Sequence, residues 1–292
     1  MDSVKLQAYG KINLSLDVLR QREDGYHDVR MIMQTVKLHD NIDMQKTKDP
    51  EIKLTTNLSF LPVNENNLMY RAARMLIDEF DIKEGVSMQL KKVIPVSAGM
   101  AGGSTDAASV LYGMNKLFNL RLSTEDLKLR GVKLGADVPF CLTRGTALSE
   151  GIGEVLTPLK KLPSCPIVLA KPAISVSTKF VYQNLHVNDL PAEAHPDVDA
   201  VIAALEKQDV TEVAVNMGNI LETVTCKKYP EIELIKDAMK KLGAVNAIMS
   251  GSGPTVFGIF SDVAEAKKCY EALRFGKYRN LAKQVYLTEP WR

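Results

Sequence analysis

Between an alternating apolar segment, Val86 to Val93, and an alanine-rich helical segment that begins at Thr105, the chain reads Gly99-Met-Ala-Gly-Gly-Ser104. A strand, a glycine-rich loop and a helix in that order leave few choices. Glycines let backbone approach a ligand closely, and the first N–H groups of a helix have no partner within it. With the positive end of the helix dipole added, the segment predicts an anion site suited to a phosphate. Ser104 and Thr105 supply hydroxyls, as donors or as an oxygen for a magnesium ion. The plainer reading is a flexible loop with Ser104 as the helix cap.

Two common phosphate folds are excluded by spacing. No Gly-Lys-Ser or Gly-Lys-Thr follows the loop, so it is not a Walker loop. A dinucleotide fold wants this loop after the first strand, with an acidic residue ending a second strand about 20 residues on. Here the loop lies a third of the way along, and Glu125 opens a helix instead.

The formal net charge of the 292 residues is +2 and no basic run is present, which argues against nucleic acid as a partner. No stretch approaches the roughly 20 apolar residues of a membrane helix, and the polar N-terminus is not a signal peptide. No membrane partner is expected. Cys141, Cys165, Cys226 and Cys269 form no CxxC pair, so zinc-ribbon and thioredoxin readings fail. Scattered thiols in a chain this long point to a reducing, cytoplasmic location.

Ile12, Leu14, Leu16 and Val18 alternate strictly with other residues, which predicts a half-buried strand over 11–19. Strands are also predicted over 29–38, 42–45, 52–56, 86–93, 167–171, 247–249, 255–260 and 284–288. Helices are predicted over 67–80 with Asn66 as cap, 105–118, 123–134, 177–186, 198–206, 210–224, 230–242 and 262–274. Strands and helices that mix without strict alternation favour an α+β fold in two lobes. The character changes near Pro158, Pro163 and Pro166, which predicts a division into 1–157, carrying the loop, and 158–292.

Four further segments attract attention. Ser250-Gly-Ser-Gly-Pro-Thr255 is a rigid turn between apolar strands, either a tight hairpin or a ligand contact. Asp137, in Gly135-Ala-Asp-Val-Pro-Phe140, is a carboxylate in an apolar stretch, a solvated turn residue or a base. Lys11 and Asn13 share a strand face; a surface lysine is the plainer reading. In Asp24-Gly-Tyr-His27, an aromatic beside a histidine after a glycine turn suits stacking on and bonding to a base.

Together, Ala8 to Leu16, Pro95 to Ala108 and Ile248 to Gly258 resemble the three ordered motifs of the GHMP kinases, the family of galactokinase, homoserine kinase and mevalonate kinase. Arg22-Glu-Asp-Gly-Tyr-His27 and Gly135 to Phe140 are similar to the branch whose substrate is diphosphocytidyl-methylerythritol, in the non-mevalonate isoprenoid pathway. The resemblance implies a two-lobed GHMP kinase fold. Its N-terminal lobe would be ribosomal-protein-S5-like and its C-terminal lobe ferredoxin-like, with the site in the cleft between them. It implies ATP with Mg²⁺, bound by Pro95, Val96, Ser97, Ala98, Gly99, Met100, Ala101, Gly102, Gly103, Ser104 and Thr105. Asp137 would be the base for the substrate hydroxyl, with Lys11 beside it. Tyr26 and His27 would hold the cytosine and Tyr182 would stack on its other face, while Asn13 and Thr178 would contact the substrate. The expected assembly is a monomer or a weak homodimer. The loop departs from the usual Gly-Leu-Gly-Gly-Gly-Ser-Ser at Met100, Ala101 and Thr105. The rival readings are a homoserine or mevalonate type of kinase, and an inactive nucleotide-binding module.

Overall fold

The computed structural model describes residues 2–292. Its chain forms two compact units that interleave along the sequence. One comprises the residues through Gly10, Leu38–Val96 and Ala101–Thr143. The other comprises Lys11–Lys37, Ser97–Met100 and Arg144–Arg292.

Two long strands, β1 (Ser3–Gln21) and β2 (His27–Thr47), have their halves in different units. In the first unit they are followed by β3 (Ile52–Thr56), α1 (Leu68–Glu79), β4 (Gly85–Lys91), α2 (Gly102–Leu117), α3 (Thr124–Gly131) and α4 (Val138–Thr143). The strand order is β3-β4-β2-β1. β3 runs parallel to β4 with Ile52 opposite Val86, and β4 runs antiparallel to β2 with Met44 opposite Met88.

Helix α1 starts where the Asn67 side chain accepts from the Met69 N–H at 2.9 Å, one residue beyond the predicted cap Asn66. Met69, Ala72, Ala73, Leu76 and Ile77 form its buried stripe, at the spacing that places one helical face on a core. Met88 and Val86 from β4, and Val110, Leu111 and Met114 from α2, belong to the same core. Gly113 belongs there for its size: a Cβ would sit 2.4 Å from the Met44 sulfur. Helix α3 opens on a capping box, in which the Ser123 hydroxyl accepts from the Asp126 N–H and the Asp126 carboxylate accepts from the Ser123 N–H.

The second unit adds β5 (Thr146–Glu150), β6 (Val155–Pro158), β7 (Ile167–Lys171), α5 (Thr178–Gln183), α6 (Val198–Lys207), α7 (Val210–Asn216), β8 (Gly218–Asn219), α8 (Glu222–Lys228), α9 (Glu231–Lys241), β9 (Asn246–Met249), β10 (Val256–Ile259), α10 (Val263–Arg274) and β11 (Gln284–Thr288). Its portion of β1 pairs in parallel with β8, and its portion of β2 pairs antiparallel with β5. A separate antiparallel sheet has the order β11-β7-β10-β9. Helix α9 packs on β9 and β10, and α10 on β7 and β11.

Several boundaries differ from those expected. β2 is one strand, where 29–38 and 42–45 were expected as two. The polar run His39-Asp40-Asn41 lies between the two expected segments, but Asp40 is fully buried with its carboxylate satisfied, so the strand continues through it. The predicted helix 210–224 is two helices, parted at Gly218–Asn219, which pairs with β1. β1 is buried continuously from Gly10 to Val18, on both faces, where alternation suggested one. The short elements α4, β5 and β6 were not expected.

Candidate active site

The loop between β4 and α2 has a left-handed backbone at every second residue: Ser97 (φ 50°), Gly99 (φ 73°) and Ala101 (φ 53°). Within the second unit, Gly99 is pressed against the Ser250 turn. The Ser250 hydroxyl donates to the Gly99 carbonyl at 2.9 Å, and a Cβ on Gly99 would lie 2.0 Å from the Ser250 carbonyl oxygen. The Lys11 N–H donates to the Met100 carbonyl at 3.1 Å, and the side chains of Ala98 and Met100 are buried. This stretch is therefore built into its unit and is not a flexible loop.

In the first unit, Ala101 is the N-cap of α2 and provides no side-chain bond. The helix starts at Gly102, three residues earlier than expected, which puts Ser104 inside the first turn and removes it as cap. The N–H groups of Gly102, Gly103 and Ser104 fall in the turn that has no intrahelical acceptor, and no acidic residue occupies that turn. Three donors and the positive end of a 16-residue helix favour an anion there. Gly103 and Ser104 keep some exposure, whereas Thr105 is buried.

Beneath the start of that helix lies a charged cluster that sequence inspection missed. Lys92 Nζ donates to Asp40 Oδ2 at 2.5 Å and to Asp106 Oδ2 at 2.8 Å, with all three side chains almost completely buried. Asp40 Oδ1 also accepts from the N–H groups of Val93 and Ile94, the latter at 2.8 Å. One lysine thus joins the segment that leads into the loop to the helix that leaves it. Burial pushes the Asp106 carboxyl up to about 8, reinforced by the Asp40 charge and opposed by Lys92. For Lys92, burial works against the ammonium, but the two carboxylates outweigh it and hold its pKa above the ordinary value. A carboxylate amid the small and apolar inward positions of α2 was the only local sign of this cluster.

Lys11 is buried, against the plainer reading of a surface lysine, and donates to Asn13 Oδ1 at 2.6 Å. The shared strand face is thus a direct contact. Asn13 Nδ2 points to the Met31 sulfur at 3.2 Å, and Asn13 Oδ1 lies 3.5 Å from where a Gly251 Cβ would be. Thr178 and Ser252 share a hydroxyl–hydroxyl bond of 2.7 Å. The rings of His27 and Tyr182 lie 5.1 Å apart, tilted by 47°. Burial lowers the His27 pKa, which favours a neutral ring with one donor and one acceptor nitrogen. Tyr26 is 60% exposed. Lys11, Asn13, His27, residues 97–100, Thr178, Tyr182 and the 250–255 turn all belong to the second unit.

Asp137 belongs to the first unit and is half-buried. It immediately precedes α4, and its carbonyl accepts from the Cys141 N–H at 3.1 Å. The expected turn after a helix is therefore also the start of another helix. Two residues before it, a Cβ on Gly135 would lie 3.9 Å from Ser104 Oγ, so this turn runs beside the first turn of α2.

Residues 67–145 match the model of the GHMP kinases N terminal domain, and residues 201–279 match that of the GHMP kinases C terminal. The chain belongs to the GHMP kinase family and is a small-molecule kinase with that family's two-domain fold, in a family that uses ATP. Among its relatives, the 4-diphosphocytidyl-2-C-methyl-D-erythritol kinase of Lachnoclostridium phytofermentans is 53% identical, covering 99% of this chain and 97% of the relative. The enzyme of the same name from Clostridium perfringens is 50% identical over 98% and 97%. A crystal structure of 4-(cytidine 5'-diphospho)-2C-methyl-D-erythritol kinase superposes with a TM-score of 0.84 at 30% identity, over 99% of this chain and all of that one. The homoserine kinase of Cytophaga hutchinsonii, at 20% identity, reaches a TM-score of 0.79 over 99% and 95%, a likeness of fold. Among the described residues no helix is long and apolar enough to cross a membrane, and none of the four cysteines is in a disulfide.

Proposed function

We propose that the chain transfers the γ-phosphoryl group of ATP to the 2-hydroxyl of 4-diphosphocytidyl-2-C-methyl-D-erythritol, in the non-mevalonate isoprenoid precursor pathway. The observation that carries this beyond the family is the His27–Tyr182 ring pair. A homoserine or mevalonate type of kinase has no base to hold there, whereas a cytosine offers a face for stacking and an edge for a neutral histidine. The 53% identity to a relative named for that substrate supports the same choice.

The roles follow from the chemistry. Phosphoryl transfer asks mainly for positioning and charge stabilisation. Residues 95–105 are proposed to cradle the ATP phosphates through their backbone donors. Asp137 accepts the proton of the substrate hydroxyl as that oxygen attacks. Lys11 stabilises negative charge developing in transfer. Asn13 and Thr178 hold the substrate, and Tyr26 joins His27 and Tyr182 at the base. Mg²⁺ supplies charge neutralisation on the phosphate oxygens. It would need few protein donors, since Mg²⁺ usually retains water and phosphate ligands, and the Ser104 hydroxyl at the loop would offer it a hard oxygen. The family's N- and C-terminal domains are proposed as 1–157 and 158–292, and the protein as a cytoplasmic monomer or weak homodimer.

The test is ADP release with Mg²⁺-ATP and a panel of diphosphocytidyl-methylerythritol, mevalonate and homoserine, with the product located by phosphorus NMR. Phosphate on the 2-hydroxyl of the first substrate alone is expected. Preference for mevalonate or homoserine would replace this reading by a sibling one, and nucleotide binding without turnover of any alcohol would leave the inactive module.

A further inference from the structure

The Ser250 turn that presses on Gly99 is itself held from behind. Asn219, in β8, is buried, and its amide is fully used: Nδ2 donates to the carbonyls of Met249 and Gly251, each at 2.8 Å, and Oδ1 accepts from the Leu221 N–H at 3.0 Å. Two acceptors on one end and a donor on the other define a single orientation for the amide. Glu222 completes the grip. Its Oε1 accepts from the Met249 N–H at 2.6 Å, and its Oε2 accepts from Lys236 Nζ at 2.6 Å. Met249 is thus held at both its N–H and its carbonyl, immediately before Ser250. The backbone of β8 is in turn fixed to β1, where the Ile220 N–H donates to the Leu16 carbonyl at 3.0 Å.

The turn has no slack. Gly251 has φ 56° and Gly253 φ 86°, and a Cβ on Gly251 would lie 3.2 Å from the Gly99 carbonyl oxygen. On its front, the turn gives its hydroxyl to Gly99 and its carbonyl oxygen packs on the Gly99 Cα. Any shift of Met249 or Gly251 toward or away from Asn219 therefore moves the surface on which Gly99 sits. Interiors this closely packed transmit such displacements and do not absorb them.

We infer that Asn219 and Glu222 are positioning residues for the nucleotide: they set the height of the Ser250 turn, and through it the backbone of residues 97–100. Neither touches ATP in this proposal, which rests on the reading of residues 95–105 as the phosphate cradle. An asparagine suits the position because an aspartate would face two carbonyl oxygens with a carboxylate and supply no donor. The sequence pattern Asn219-Ile-Leu-Glu222 places the two groups three residues apart, Asn219 ending β8 and Glu222 opening α8, with both bonded to Met249.

The experiment compares wild type, Asn219→Asp and Ser250→Ala. Binding of a non-hydrolysable ATP analogue with Mg²⁺ is measured by calorimetry, steady-state KM for each substrate is measured beside it, and thermal melting checks the fold. Ser250→Ala should weaken nucleotide binding about 3- to 10-fold, the worth of one lost hydrogen bond, and Asn219→Asp, which loses two, by at least as much, with the KM of the alcohol substrate within about twofold of wild type, and less than additive loss in the double variant. Ser250→Ala removes only a hydroxyl, so it decides the matter if Asn219→Asp fails to fold. Failure of the wild type to bind the analogue would overturn the cradle reading itself. Normal binding by the wild type with unchanged nucleotide affinity in the folded variants, or equal weakening of both substrates, would overturn this inference.

Discussion

The rings of His27 and Tyr182, one at the start of β2 and the other in α5, meet at 5.1 Å and 47°. In the proposed function this pair receives the cytosine ring of the substrate. His27→Ala and Tyr182→Ala should each weaken the diphosphocytidyl substrate by roughly 1–3 kcal/mol, from lost stacking and hydrogen bonding. The ATP KM should stay within about twofold. Steady-state kinetics with each substrate varied in turn makes the check, and equal loss for both substrates would make the pair a structural contact.

Glycine demand in the loop falls at Gly99. Its φ is 73°, and a Cβ there would meet the Ser250 carbonyl oxygen at 2.0 Å. Gly99→Ala must push the turn away, so the ATP KM should rise about tenfold or more and the melting temperature should fall by several degrees, as a left-handed non-glycine residue costs about 1–2 kcal/mol before the clash is counted. Gly103 gives the contrast. It is helical and partly open, and a Cβ there would meet only Leu68 Cδ1 at 3.6 Å. Gly103→Ala should leave the melting temperature unchanged or raised, and any loss in ATP affinity would then report space taken from the phosphates.

Much of this was readable beforehand because the motifs are contiguous. The strand–loop–helix order, the turn at Ser250 and the face shared by Lys11 and Asn13 all depend on residues close in sequence. What escaped depends on partners far apart. Nothing near Asp40 announces that its carboxylate receives Lys92 and two N–H groups, so it falls in the gap between two expected strands. Gly218 and Asn219 read as part of a helix because the reason they leave it, pairing with β1 and gripping Met249 and Gly251, lies elsewhere in the chain. Lys11 reads as exposed because one strand cannot reveal that both of its faces are covered.

The buried cluster under the loop makes stability depend on pH. The Asp106 carboxyl is raised from its ordinary 3.8 to about 8 in the folded protein. Between about pH 4 and 8 the folded state keeps a proton that the unfolded chain has lost, so this group's contribution declines as pH rises, by up to about 1.4 kcal/mol per unit. Above the folded value both states are ionised and the decline stops. Asp106→Asn keeps the shape and has nothing to titrate. Urea unfolding from pH 5 to 8 should show wild type losing stability while Asp106→Asn stays flatter. Parallel curves would mean that Asp106 is ionised throughout.

In the proposed chemical step, Asp137 takes the proton of the substrate hydroxyl and Lys11 stabilises the developing charge. Asp137 immediately precedes α4 in the turn beside Ser104, and Lys11 is a buried ammonium bonded to Asn13. Asp137→Asn keeps the size of the side chain and removes the proton acceptor, so kcat should fall by about 10²–10⁴, the range for losing a general base. The substrate KM should move little, because the proton is taken only as the transition state forms. Lys11→Met should also lower kcat, and it should disturb Asn13 by removing its 2.6 Å partner. If the two residues act on one reacting oxygen, the double variant should lose far less than the product of the single losses. Steady-state kinetics on folded protein decides this. Near wild-type kcat for Asp137→Asn would mean that the alcohol attacks by position alone, with its proton leaving to solvent or to the phosphate, and would remove Asp137 as the base while leaving the family assignment intact.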